Sequence, residues 1–109
     1  MKIFHLKDMV RGWFVGNFAP TALVTSEVEV AVKKYKAGEY ELPHYHKIGT
    51  EVTVIISGKV KMMNRILESG EIIIIEPGEI TDFHAITDVT NVVVKIPGSS
   101  DDKYTLENN

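Results

Sequence analysis

Residues 38–58 read GEYELPHYHKIGTEVTVIISG, and this stretch places two histidines two positions apart just before a β-branched run. If the segment is extended, His44 and His46 project from one face and Tyr45 projects from the other. The two histidine Cα atoms then lie roughly 7 Å apart, so both imidazoles can reach one metal ion at about 2.0–2.1 Å per bond. The pair therefore indicates a candidate metal site on a strand.

A carboxylate from the next strand would complete this candidate site. Glu51 directly follows Gly49 and Thr50, which we interpret as a turn, and it begins the β-branched run. Two imidazoles and one carboxylate form a facial set that suits ferrous iron, and such ligands also accept other divalent first-row metals. A His-x-His pair alone is more typical of two solvated histidines on a surface strand, so the metal interpretation depends on the surrounding pattern.

Five positions in this stretch resemble the first motif of the cupin superfamily. That motif reads Gly, five residues, His-x-His, three or four residues, Glu, six residues, Gly. The matching positions are Gly38, His44, His46, Glu51 and Gly58, and every spacing agrees. The resemblance implies an antiparallel jelly-roll β-barrel over roughly residues 27–96. It also implies a divalent metal ion (Fe, Mn, Ni, Co or Zn) held by the two histidines and the glutamate inside the barrel mouth.

The second cupin motif is matched only in part, which leaves the fourth metal ligand open. In the usual pattern Pro-x-Gly is followed by two residues and a histidine, but here Pro77 adjoins Gly78 and that histidine position falls on Thr81. The nearest histidine is His84, and its odd offset from Thr81 reverses the face of a strand unless a bulge intervenes. We take His84 as the candidate fourth ligand, with Asp82 or a site of three protein ligands as the alternatives.

The rest of the chain predicts a single all-β domain. Period-two alternation or β-branched runs bounded by Gly and Pro predict strands. These runs lie at residues 27–33, 51–57, 60–63, 71–76, 82–86 and 91–96. We expect residues 1–26 to form an N-terminal segment packed on the barrel or on a dimer partner. Residues 27–98 would form the cupin β-barrel core, and residues 99–109 a frayed, polar C-terminal tail.

The isoleucine run Ile72–Ile75 predicts a strand that is dry on both faces, because consecutive strand residues alternate between the faces. One face would fill the barrel. The other would be covered either by the N-terminal segment or by a second copy of the chain in a homodimer, the commonest closed assembly.

Three further side chains bear on the pocket. Lys95 shares a strand face with Val93. We expect this lysine to point outward, and an inward lysine would instead be a partner for an anionic substrate. Trp13 and Phe18 are expected to pack within the N-terminal segment, with a place in the ligand pocket as the alternative.

Composition narrows the classes of partner. The 109 residues carry a formal net charge of −3 without a concentrated basic face, which argues against nucleic acid. With no cysteine, the chain has neither a disulfide frame nor a thiolate zinc site. No apolar stretch approaches the roughly 20 residues that span a bilayer, and no signal-peptide pattern is present. We therefore expect a cytoplasmic protein with a small-molecule partner and no membrane partner.

The resemblance supports several functions, because a fold alone does not fix chemistry. The first hypothesis is a metal-dependent enzyme, an oxygenase or isomerase acting on a small polar metabolite. The second is a non-catalytic cupin that binds a sugar or another metabolite. The third is a metal-free sugar-nucleotide isomerase that uses His44 or His46 as a general base. The sequence leaves open the substrate, the catalytic residues and whether the protein is an enzyme.

Overall fold

The computed structural model describes residues 1–98 and 101–106, and it consists almost entirely of short β-strands. The strands in these ranges are β1 (Trp13–Val15), β2 (Glu29–Tyr35), β3 (Tyr40–Tyr45), β4 (Thr50–Ser57), β5 (Lys59–Met62), β6 (Arg65–Glu68), β7 (Ile72–Ile75), β8 (Thr81–Ala85), β9 (Val89–Ile96) and β10 (Tyr104–Thr105). A three-residue 3₁₀ turn, Leu6–Asp8, precedes them. Within the same ranges, no helix has the length and apolar character needed to cross a membrane.

The strands form two antiparallel five-stranded sheets that pack face to face. The first sheet has the order β1-β2-β9-β4-β7, and the second has the order β10-β3-β8-β5-β6. From β2 to β5 and again from β6 to β10, each strand lies in the opposite sheet from the one before it. Among the described strands none pairs with both sheets, so the molecule is a two-sheet sandwich rather than a closed barrel.

The hydrophobic core lies between the two sheets and combines the inward residues of both. Its buried members are Ile55, Val60, Met62, Leu67, Ile75, Phe83, Ala85 and Val89. Gly58 connects the sheets at φ +91°, where a Cβ atom would lie 2.1 Å from the carbonyl oxygen of Asp88. That close approach explains why the last position of the histidine-containing motif is a glycine.

The first sheet turns a polar side toward the interior. Glu29 and Glu51 flank Lys95 in one cross-strand row, and their side chains face inward together with that of Val93. The expectation of an outward Lys95 is therefore wrong. The shared face with Val93 was inferred correctly, but this side of the sheet is the inner one.

The opposite side of the first sheet is apolar. Two cross-strand rows cover it, Val30–Val94–Val52–Ile74 and Val32–Val92–Val54–Ile72. We call these eight residues the valine–isoleucine face. Ile72 and Ile74 are 64% and 58% exposed. The expected N-terminal cover is absent from the described residues, because β1 pairs with β2 at the far edge of the sheet.

The N-terminal segment places an aromatic side chain over the interior. Gly12, at φ +82°, passes so close to β2 that a Cβ atom would lie 1.7 Å from the carbonyl oxygen of Val32. This approach sets Trp13 opposite Ala31, and both Trp13 and Phe18 line the internal cavity. Of the two places considered for these aromatic residues, the structure therefore favours the pocket.

The C-terminal segment is packed against the sandwich where the structure describes it. Tyr104 and Thr105 pair with Tyr45 and His44, and the side chain of Asp102 is buried. Fraying is therefore wrong for residues 101–106. Residues 99, 100 and 107–109 of the predicted tail lie outside the described ranges.

Two adjacent isoleucines test which face of β4 points into the hydrophobic core. Ile55 is 0% exposed and Ile56 is 51% exposed on the opposite face of β4. We expect Ile55→Ala to lower the free energy of unfolding by about 2–5 kcal/mol, because it leaves a cavity, and Ile56→Ala to change it by about 0.5 kcal/mol or less. Urea unfolding followed by circular dichroism measures both. Equal losses would show that the faces of β4 are wrongly assigned.

Candidate functional site

A cavity of about 390 Å³ opens between the two sheets beneath the N-terminal segment. Its wall combines apolar side chains, including Phe83 and Val93, with the polar inner side of the first sheet. Three of the four proposed ligands line it, namely His44, His46 and Glu51. The cavity is therefore the candidate functional site.

A bulge in β3 orients His44. Glu41 pairs with Phe83 and His44 pairs with Thr81, so one extra residue separates the two pairs on β3. The shift lets both Glu41 and His44 face the cavity although they are an odd number of residues apart. His44 Nδ1 lies 2.8 Å from the carbonyl oxygen of Leu42 within the bulge. Because a carbonyl only accepts, Nδ1 carries the proton and donates it, which leaves Nε2 with a free lone pair.

His46 lies just beyond β3 and is almost fully enclosed. His46 is 3% exposed, and its Nε2 atom has no hydrogen-bond partner among the described residues. Burial, with the nearby charge of Lys95, lowers the pKa of His46 to about 4. The imidazole is therefore neutral near pH 7, which is the form that binds metal ions.

The two imidazoles lie close together but slightly farther apart than a shared ion requires. A metal bound through Nε2 lies about 3.2 Å from the ring centroid, so two rings on one ion have centroids about 4.5 Å apart in a facial set and about 5.2 Å apart in a tetrahedral one. The centroids of His44 and His46 are 5.8 Å apart. A buried, unpartnered Nε2 beside a second imidazole with a fixed tautomer is still compatible with a divalent metal.

Glu51 lines the same cavity but is engaged with a neighbour. Its Oε2 atom accepts a hydrogen bond of 2.9 Å from the hydroxyl of Thr53. As the side chains stand, no three His, Asp or Glu groups in residues 1–98 and 101–106 are close enough together to hold one ion. The structure thus brings the two histidines together and places the glutamate in their cavity without converging all three.

The proposed fourth ligand, His84, is placed elsewhere. Thr81, Phe83 and Ala85 are buried, whereas His84 between them is exposed and packs its ring 6.3 Å from that of Tyr40. No bulge falls between Thr81 and His84, so the odd offset leaves the imidazole on the outer face. Asp82, the alternative, lines the cavity, and its carboxylate accepts a hydrogen bond from the backbone N–H of Met63. The His84 assignment is therefore corrected to a residue outside the cavity.

Charged residues that the sequence analysis did not place in the site also line the cavity. Glu29 is buried, and its Oε1 lies 3.8 Å from Lys95 Nζ. Lys33 lines the same wall, and burial lowers the pKa of its ammonium group. The alternation in β2 carried the signal, since Glu29 and Lys33 share one face and the valines share the other.

A hydrogen bond between the two sheets lies near these charges. The Tyr35 hydroxyl donates to Glu41 Oε2, and Lys103 Nζ lies 3.2 Å from Glu41 Oε1. Burial and the Glu41 carboxylate raise the pKa of Tyr35. Burial alone would raise the pKa of Glu41, but the hydrogen bond from Tyr35 and the charge of Lys103 lower it. Tyr35 is thus held protonated and Glu41 ionised.

Asp102 fixes the loop between the histidines and Glu51. Its carboxylate accepts three hydrogen bonds, of 2.9, 3.0 and 2.8 Å, from the backbone N–H groups of Lys47, Ile48 and Gly49. Burial alone would raise the pKa of Asp102, but these three donors lower it. The sequence gives no local sign of this contact, because the partners are separated by 53–55 residues.

Replacing Asp102 tests this contact. We expect Asp102→Asn to lower the free energy of unfolding at pH 7 by about 1–3 kcal/mol, because one carboxylate oxygen is replaced by a donor that faces other donors. The exposed Asp8→Asn should change it by no more than about 0.5 kcal/mol. Urea unfolding gives the energies, and amide hydrogen exchange at Lys47–Gly49 should be faster in Asp102→Asn alone.

The difference in stability between the parent protein and Asp102→Asn should also depend on pH. A carboxyl group whose pKa is lower in the folded state contributes full stability above its unfolded-state pKa of about 3.9 and loses it as the pH falls through the folded-state pKa. The stability difference between the parent and Asp102→Asn should therefore shrink below about pH 4. A difference that stays constant in acid would contradict the charge-assisted contact.

Sequence comparisons give no match, but solved structures do. No protein-family model matches the chain, and no curated protein matches it. A protein with a double-stranded β-helix domain from Klebsiella pneumoniae has a TM-score of 0.65 at 24% identity, covering 69% of this chain and 67% of that one. An RmlC-like cupin from Desulfovibrio desulfuricans has a TM-score of 0.61 at 18% identity, covering 69% and 76%.

A third similar structure is longer. The DMSP lyase DddQ from Ruegeria pomeroyi has a TM-score of 0.72 at 14% identity, and the match covers 89% of this chain but 51% of that one. Together these likenesses confirm the predicted fold class, an all-β antiparallel jelly roll of the double-stranded β-helix or cupin type.

Proposed function

We propose that this chain is a member of the cupin superfamily that holds a divalent metal ion in its cavity and acts on a small polar metabolite. The observation that carries the proposal is the buried Nε2 of His46, which has no partner among the described residues and belongs to a residue that lines the same cavity as His44. A buried acceptor without a hydrogen bond is costly unless another group satisfies it. The first cupin motif and the fold support the same assignment.

His44 and His46 would hold the metal through Nε2, and Glu51 is the carboxylate of the motif in the same cavity. The bond from His44 Nδ1 to Leu42 fixes the tautomer that this role requires. When bound, a divalent metal would supply Lewis-acid chemistry or coordinate a substrate at its open positions. Iron, manganese, nickel, cobalt and zinc all suit such ligands.

The protein groups around the histidines would bind and orient the substrate. Tyr35 presents a protonated hydroxyl held by Glu41, and Lys103 keeps that carboxylate ionised. The apolar side chains of Phe83 and Val93 complete the wall and exclude water from one side of the cavity. This arrangement suits a small molecule with both polar and apolar surface.

An oxygenase or isomerase is the activity that we propose for the metal-loaded protein. One of the similar folds, DddQ, is a lyase, which supports an enzymatic use of such a cavity. Bound metal without turnover on any of a broad substrate panel would favour a metabolite-binding protein instead. Retention of metal-independent isomerase activity in a metal-free preparation would favour the third hypothesis.

Metal content of histidine variants tests the site. We expect His44→Ala and His46→Ala to lower metal affinity by more than the roughly 10–100-fold typical of losing a supporting residue, because each removes a ligand. His84→Ala is the matched control and should retain the metal, since His84 lies on the outer face. Mass spectrometry of metal per chain after dialysis measures all three, with circular dichroism to verify folding. Metal loss in His84→Ala, or retention in folded His44→Ala, would contradict the site.

We propose further that two copies of the chain associate through the valine–isoleucine face. Its two cross-strand rows contain no charged residue, so identical faces meet without like-charge repulsion. A two-fold axis brings the same patch of each copy together, and sheets pack well face to face. Contiguous apolar patches of more than a few hundred Å² are rare on monomers, which favours a partner here.

A charge on this face should separate the copies. We expect the parent protein to have the mass of two chains and Ile74→Lys the mass of one, because the lysine would be buried without a partner. Ile66→Lys, at an exposed position of the second sheet, is the control and should remain dimeric. Size-exclusion chromatography with light scattering gives the masses. A parent protein with the mass of one chain would contradict the interface.

A further inference from the structure

Lys33 is a cavity cation without an anionic partner. Its Nζ lies 5.6 Å from the ring centroid of Trp13 and 5.9 Å from that of Tyr35, within the range of cation–π contacts. No ion pair in the described part of the chain includes Lys33. The ammonium group is thus removed from much of the solvent and lies beside two aromatic rings, with the Glu41 and Glu51 carboxylates acting on it only from beyond salt-bridge distance.

The neighbouring charges already have partners. Lys95 lies beside the same Trp13 ring, 5.6 Å from its centroid, but it is paired with Glu29. Glu41 is occupied by Tyr35 and Lys103. Arg11 lines the cavity from an exposed position, where solvent screens its charge. Of the three lysines inside the cavity, Lys95 and Lys103 each form a salt bridge, so Lys33 is the one available to pair with a negatively charged ligand group.

Directly beside Lys33, the side chain of Asn91 has an oxygen that lacks a hydrogen-bond donor among the described residues. The two residues are cross-strand partners on β9 and β2, and both line the cavity. Asn91 is 1% exposed, and its Oδ1 has no hydrogen-bond partner within the described residues. A buried amide oxygen needs a donor, and a ligand hydroxyl is a donor that would fit next to the bound anion.

We propose that the cavity takes a small hydroxy acid, whose carboxylate lies against Lys33 Nζ beside Trp13 and whose hydroxyl donates to Asn91 Oδ1. This inference deepens the proposed function, since it names the substrate class for the cavity that holds His44 and His46. A carboxylate fits better than a phosphate dianion, because Glu29, Glu41 and Glu51 also line the cavity and would repel a second negative charge. The cavity volume of about 390 Å³ limits the ligand to a small molecule.

Trp13 provides a direct readout, because it is the single tryptophan of the chain and adjoins Lys33. The probes are three six-carbon compounds: gluconate has a carboxylate and hydroxyls, sorbitol lacks the carboxylate, and hexanoate lacks the hydroxyls. We expect gluconate to change the tryptophan emission saturably in the full chain, both as purified and after chelator treatment. Sorbitol and hexanoate should each bind about tenfold more weakly or worse.

Variants separate the two contacts. Lys33→Gln should weaken gluconate binding about 10–100-fold, whereas Lys34→Gln, exposed on the adjacent position of β2, should leave it unchanged. Asn91→Leu should remove the preference for gluconate over hexanoate and keep the need for a carboxylate. A merely structural role for Asn91 would lower the affinity for both acids alike.

Several results would overturn the proposal. These are no saturable response to gluconate, equal affinity for sorbitol, equal effects of Lys33→Gln and Lys34→Gln, or displacement of gluconate by an equal or lower concentration of inorganic phosphate. Metal per chain, measured on the same samples, keeps the two ideas apart. Metal retained without gluconate binding overturns the hydroxy-acid site alone, and gluconate binding by a protein that takes up no metal overturns the metal site alone.

Discussion

The polarity of the first sheet is inverted, and the other features of the molecule depend on this constraint. Glu29, Lys95 and Glu51 face the interior in one row, while Val30, Val94 and Val52 of the next row face outward. Buried charges are tolerated only when they are paired or hydrogen-bonded. The interior at this end of the sandwich is therefore a lined cavity rather than a packed core, and the apolar surface that would normally fill it is on the outside.

One end of the sandwich holds the apolar cluster that stabilises the fold, and the other end holds the cavity. Ile55, Val60 and Phe83 belong to a continuous apolar cluster, which holds the sheets together. Elsewhere on the inner side of the first sheet, Thr53 and Asn91 are polar, and both line the cavity. His44 lies in β3 of the second sheet and His46 lies just beyond it, across the cavity from the charged row, so a ligand between the sheets would meet imidazoles on one side and charges on the other.

The sequence predicted the elements better than their orientation. Strong alternation located β2, β4 and β9 to within about two residues, because long strands carry their own pattern. Alternation gives two faces but does not say which is inside, and the expectation that a lysine points outward misplaced Lys95. β1, β6 and β10 span two to four residues and take their structure from the strands beside them, so no local pattern announces them.

For the candidate site as well, the sequence indicated which residues are near one another better than how their side chains are oriented. The spacing of His44 and His46 correctly placed both imidazoles on one side, and parity correctly raised doubt about His84. The bulge at Leu42 and Pro43, the engagement of Glu51 by Thr53 and the unpartnered Asn91 depend on register and rotamers, which a sequence pattern does not contain. The part of the site that the sequence missed is therefore the part that would select a ligand.

The Asp102 contact also has a consequence for how the protein is made. The loop at residues 47–49 connects β3 to β4, and its three N–H groups donate to the carboxylate of Asp102, which lies 53–55 residues farther along the chain. While the chain is still being synthesised, both strands leave the ribosome well before that acceptor does. The loop that separates the imidazoles from the carboxylate is thus fixed only after residue 102 has been synthesised and has docked.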